Sequence, residues 1–196
     1  MKETKLLTYP HGSTKTNKSM AYGYANFIMY LAPHKLSGHN VCPGATIGCI
    51  ESCLNESGRG NWVEKNGKIN PIHQARLNGT SDLRWENDWQ NFNIIKYFSD
   101  IQFYDYTKLW NRRNLPANYH LTFSRAESNQ EQTLSAIVNG LNISAVFRSE
   151  LPKQYLGLNV INGDKHDLRF LDPLRSCVGL IAKGKAKHDT SGFVIN

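Results

Sequence analysis

IQFYDYTKLWNRRNLPANYHLTFSRAESNQEQTLSAIVNGLNISAVFR, residues 101–148, decides the fold. Three runs in it, Ile101–Thr107, Tyr119–Ser124 and Ser144–Arg148, are rich in β-branched and aromatic residues and close on polar ones, as strands do. Between the last two, Ser128–Val138 reads as a helix. Ser128 stands where an N-cap belongs, Glu131 follows three residues on, Leu134, Ile137 and Val138 recur at helical spacing, and Gly140 is a stop signal. Strand, helix, strand in this order predicts right-handed βαβ units and a largely parallel sheet.

The same texture extends outward. His73–Asn78, Leu168–Leu171 and Val178–Lys183 read as further strands, and Trp85–Phe98 as a further helix carrying Trp85, Trp89, Phe92 and Ile94 or Ile95 on one face. The fold class is therefore α/β: either a partial (β/α) barrel or an open, mostly parallel sheet, with an N-terminal Cys-containing loop region. That loop, residues 31–60, is rich in Gly, Pro, Ser and Asn, with one short helical turn expected around Ile50–Leu54.

At 196 residues and 40% hydrophobic, the chain suits one domain with a packed core. Its longest apolar stretch, Ala21–Ala32, is broken by Gly23 and Asn26, too short to span a membrane and too far along to be a signal peptide. A cytoplasmic protein with no membrane partner is expected. The formal charge is +7, and Lys2, Lys5, Lys15, Lys18 and Lys35 stand against Glu3 alone at the N-terminal end. Residues 1–30 read as a basic arm and lead-in, flexible over Lys2–Ser19, and residues 31–196 as a single α/β domain. The arm and the Lys183–Lys187 stretch permit weak, salt-sensitive nucleic-acid binding, without a DNA-reading motif.

Cys42, Cys49 and Cys53 form C-x6-C-x3-C, while Cys177 stands alone. Three thiolates on one Gly/Pro-rich loop can converge on a metal. They would hold three corners of a 4Fe–4S cluster and leave the fourth iron open to a small molecule. A structural zinc is the alternative, with His34, His39 or Cys177 as fourth ligand. The spacing fits no zinc-finger pattern.

In parallel α/β folds, functional groups gather at the carboxyl ends of strands. Here those ends carry Asn78, Ser81 and Asp82; Asp105, Thr107 and Lys108; Thr122, Ser124, Arg125 and Glu127; Arg148; Asp164, His166 and Asp167; and Lys183 with Lys185. Asn78, Ser81, Asp82, Asp105, Lys108, Arg125 and Arg148 are the candidate cofactor-binding residues, facing one cavity near the cysteines. Structural ion pairing, for example of Asp105 with Arg125 or Arg148, is the competing reading. His166 could serve as an acid–base residue or a metal ligand. Catalytic residues cannot be named.

The stretches LAPHKLSGHNVCPGATIGC, CLNESGRG, RLNGTSDLRWE, QFYDYTK, YHLTFSRAE, HDLRFLDP and GLIAKGKAKHDTSGFV resemble the bacteriophage gene product 88 family, from about Ala32 to the end of the chain. The layout is also remotely similar to radical S-adenosylmethionine enzymes, although those carry C-x3-C-x2-C. By that likeness Cys42, Cys49 and Cys53 would hold the cluster, S-adenosylmethionine would bind its open iron, and Asn78, Ser81, Asp82, Asp105, Lys108 and Arg125 would line the cavity.

Overall fold

The computed structural model describes residues 7–12, 14–31, 42–51 and 72–196. The elements in chain order are β1 (Leu7–Thr8), α1 (Thr14–Met20), β2 (Tyr24–Met29), α2 (Ile47–Glu51), β3 (Ile72–Arg76), α3 (Ile94–Tyr97), β4 (Gln102–Thr107), β5 (Tyr119–Ser124), α4 (Gln130–Val138), β6 (Ile143–Phe147), β7 (Gln154–Tyr155), β8 (Leu158–Asn162), β9 (Ser176–Ile181) and β10 (Val194–Ile195), with 3-10 turns at Arg169–Leu171 and Gly184–His188.

All ten strands belong to one sheet, ordered β1-β2-β3-β4-β5-β6-β9-β8-β7, with β10 added to β6. Only β1 on β2 and β7 on β8 run antiparallel. The sheet ends at β1 and β7 without closing, so the open-sheet expectation stands and the barrel does not. Within residues 1–30, the described part supplies β1, α1 and β2. Ala21–Ala32 holds that strand, broken as a membrane span but intact as β2, where Asn26 alternates to a polar face.

Strand alternation assigns the two faces. In register, Ala75 pairs with Phe103, Phe103 with Tyr119, Phe123 with Ile143, and Ile143 with Cys177. These residues form two apolar clusters, one including Ile95 of α3 and the other Ala136 of α4. The steps from β3 to β6 advance in one direction, and right-handed crossovers put α3 and α4 on this face.

The opposite face is polar. It carries Gln74 and Arg76, Tyr104 and Tyr106, His120, Thr122 and Ser124, and Ser144, with Tyr104 opposite His120, Tyr106 opposite Thr122 and Ser124 opposite Ser144. The step from β8 back to β9 runs against the others, and its connection falls on this second face. There Phe170 packs its ring on Tyr104 and Tyr24, at 5.8 and 5.5 Å between centroids. Leu168–Leu171 is accordingly a cover over the sheet, not a strand.

At the carboxyl end the sheet divides. β5 pairs with β6 only at Phe123–Ile143 and Ser124–Ser144, and β10 then pairs Val194 with Val146 and Ile195 with Phe147. The helix expected over Trp85–Phe98 shrinks to α3. Gln90 and Asn91 have φ of 49° and 64°, a left-handed turn joining Trp89 to Phe92, and the helix starts only at Asn93, whose side chain accepts from the N–H groups of Ile95 and Lys96. Among the described residues no helix is long and apolar enough to cross a membrane.

Candidate functional site

A cavity of about 310 Å³ opens at the carboxyl ends of β3, β4, β5, β6 and β9. Arg76 and Asn78 face it from β3 and the loop beyond, Tyr106 and Lys108 from β4, Ser124 and Arg125 from β5, Ser144 and Val146 from β6, and Leu180 and Lys183 from β9. Its floor is an ion-paired layer on the polar face. Arg76 Nη1 lies 3.2 Å from Asp167 Oδ2, and the hydroxyls of Tyr104 and Tyr106 donate to the same carboxylate at 3.3 and 3.4 Å. Arg76 also stacks over the Tyr106 ring.

The cysteine segment forms one wall. Cys42 and Cys49 both line the cavity, and the Cys42 thiol donates to Thr80 O at 3.2 Å. Glu127, just past β5, fastens this segment by accepting from Thr46 Oγ1 at 2.8 Å and from Gly48 N at 2.9 Å. Thr46 Oγ1 in turn accepts from Cys49 N. Two glycines allow the close fit. A Cβ on Gly44 would lie 2.7 Å from Lys108 Cβ; one on Gly48 would fall against Ser191 Oγ and 2.8 Å from Phe193 Cβ. Arg125 holds the other side of this joint, donating from Nη1 to Gly192 O at 2.5 Å and Phe193 O at 3.0 Å.

Behind the wall a buried polar network sets the β3 and β4 ends. Asn78 is almost fully buried; its Oδ1 accepts from Ser81 Oγ, Leu83 N and Trp85 Nε1. Asp105 is wholly buried and accepts from Asn78 N at 2.8 Å, Asn78 Nδ2 at 3.1 Å and Tyr119 OH at 2.7 Å. Arg112 connects Tyr119 to Glu86 and Asp82, and Asp82 Oδ2 accepts from Lys108 N at 2.7 Å. Burial raises the Asp105 carboxyl to about 7 against the opposing field of Arg76. Burial likewise raises Asp82 above the ordinary carboxylate range.

The candidate residues thus separate. Asn78, Ser81, Asp82, Lys108 and Arg125 line one cavity with Cys42 and Cys49. Asp105 does not; a carboxylate in the middle of an apolar strand faces the helical side and serves the network that holds Asn78. Arg148 does not either. It donates to Asn196 Oδ1, Lys187 O and Asp189 O, clamping the last residues of the chain. The pairing of Asp105 with Arg125 or Arg148 is replaced by a 3.9 Å approach to Arg76. His166 packs edge-on against Tyr22, outside the cavity lining. Cys177 is buried in β9, where burial raises its thiol to about 12. Cys53, His34 and His39 lie outside the described residues.

Arg76, Tyr106 and Ser144 were missed as lining residues. Alternation was the available signal: Arg76 is two residues before Asn78, and Tyr106 two before Lys108. Ser144 opens a run whose charged end, Arg148, is the stronger sequence signal but lies outside the lining. Among the described residues no three His, Cys, Asp or Glu side chains group so as to hold a metal. Cys42 and Cys49 put two soft thiols on one wall of the cavity.

A family model described as Gene product 88 matches residues 64–196. No curated protein matches the chain, and no solved structure does. The likeness to radical S-adenosylmethionine enzymes gains no support from these comparisons.

Proposed function

The chain belongs to the gene product 88 family, and from that premise we propose an iron–sulfur protein that binds a small molecule beside its cluster. One observation carries the reading: Cys42 and Cys49, from a segment preceding β3, open into the same cavity as the polar carboxyl ends of β3, β4 and β5. Cys42, Cys49 and Cys53 would hold the cluster. When bound, a three-thiolate cluster supplies an electron and one open iron. The chain's own residues supply the rest. Glu127 and the two glycines fix the cysteine segment, Asp82 and Asn78 set the loop ends, and Val146, Leu180 and Phe193 exclude water from one side.

The test is anaerobic reconstitution followed by iron and acid-labile sulfide determination. Brown protein with iron and sulfide in equal amounts is expected, lost in Cys49→Ser and in Cys53→Ser. S-adenosylmethionine, the cofactor implied by the remote likeness, is tested separately by equilibrium dialysis against the reconstituted protein. Retention that depends on the cluster would support a radical-type enzyme. The second reading, a zinc module that binds nucleic acid, draws on the exposed Lys185 and Lys187 beside β9; colourless protein with one zinc would favour it.

A further inference from the structure

We propose that the cavity has a phosphate subsite between Lys108 and Arg125, and that its ligand is a small phosphorylated molecule with an apolar body. This rests on reading the cavity as the binding site and not on the metal. The charges lining the cavity are unequally compensated. Arg76 is paired with Asp167, and Lys183 with Asp164 at 2.5 Å. The carboxylates are occupied as well: Asp164 also accepts from Ile181 N, and Asp82 from Lys108 N and Arg112. Lys108 and Arg125 remain without an ion-paired carboxylate among the described residues, on the ends of adjacent parallel strands.

The hydrogen-bond inventory points the same way. Arg125 spends Nη1 on backbone carbonyls, while its Nε is buried with no hydrogen-bond acceptor; Arg76 Nε instead faces the Asp105 carboxylate at 3.9 Å. A buried donor left unmade carries its full desolvation cost, so an anion that accepts from it is favoured. Ser124 and Ser144 add two hydroxyls beside Arg125, 3.2 Å apart. Two uncompensated cations complement a dianion, whereas a single carboxylate would leave one bare. A tetrahedral group can also receive a lysine, a guanidinium edge and hydroxyls from different directions. Val146, Leu180 and Phe193 form an apolar wall of the same cavity, which suits an organic body and gives bare phosphate nothing to bury.

The experiment is calorimetric titration of the full chain with phenyl phosphate, inorganic phosphate, phenylacetate and benzyl alcohol, with metal content measured on each sample. Phenyl phosphate should bind roughly tenfold or more tightly than each of the others, weakening as salt rises. Lys108→Gln should lose about tenfold of that affinity and Lys108→Arg should recover most of it. Lys108 gives its backbone N–H to Asp82, which either variant keeps, and its charge also favours the Asp82 carboxylate, which Lys108→Arg keeps. No binding of phenyl phosphate, equal binding of phenylacetate or benzyl alcohol, or unchanged affinity in Lys108→Gln would each overturn the subsite. Cys49→Ser separates the two readings: loss of metal with phenyl phosphate binding retained leaves the subsite standing whatever the cluster proves to be.

Discussion

Asp105 shows how a residue can look functional in sequence and act structurally. Its place inside QFYDYT marks it as a carboxylate needing partners, and it has three, all donors. Alternation puts it opposite Leu121, on the apolar side, so the cavity is out of reach. Its titration affects stability. Burial holds the folded carboxyl at about 7, against about 3.9 when unfolded. Between these values the folded state binds the proton and the unfolded state does not. Its contribution is therefore fully present below pH about 4 and is lost as pH rises through about 7. Urea midpoints should fall between about pH 5 and about pH 8, and Asp105→Asn should flatten that fall; an unchanged slope would refute the assignment. Tyr119→Phe should cost about 1–3 kcal/mol, because Asp105 loses its hydroxyl donor and Arg112 an acceptor.

At the scale of elements, α2 matters for where it is held. Five residues cannot sustain a helix alone; Glu127 and the contacts of Gly44 and Gly48 keep it on the sheet edge. Gly48→Ala should force the segment off Ser191 and Phe193. Iodoacetamide should then alkylate Cys49 several-fold faster, with Cys177 still protected in β9; equal rates would show that the glycine contact does not fix the segment. What the sequence disclosed at this scale follows its physics. The runs at Tyr119–Ser124 and Ile101–Thr107 match β5 and β4 to within a residue, because alternating large side chains identify a half-buried strand locally. Gln130–Val138 was legible from its periodicity, although Asn129, not Ser128, stands at its cap. Trp85–Phe98 misled because its aromatic spacing imitates a helix, while the left-handed pair Gln90 and Asn91 turns the chain back. β1, β7 and β10 are two residues each; pairing with a neighbour defines them, and no local pattern does.

For the whole molecule, the sheet's direction of travel builds the site. The advance from β3 to β6 stacks α3 and α4 on one face, and the reversal at β8 to β9 drops a polar cover on the other. The divergence of β5 from β6, filled by β10, opens the carboxyl edge where the cavity lies. The cavity's membership was partly legible because strand ends can be read from a run's polar terminus; Arg148 was misassigned because a tail 39 to 48 residues away claims it. Removing Val194–Asn196 should therefore lower the melting temperature, since β6 loses its β10 partner and Arg148 its Asn196 acceptor; a thermal melt of the truncated chain checks this.

The proposed function stands or falls with a cluster held by Cys42, Cys49 and Cys53. The most direct test is iron and acid-labile sulfide analysis of anaerobically reconstituted protein, with Mössbauer spectra of the same sample. About four irons and four sulfides per chain are expected, with one iron distinct from the other three. Zinc alone, or iron retained in full by the Cys42→Ser, Cys49→Ser and Cys53→Ser variants, would contradict it.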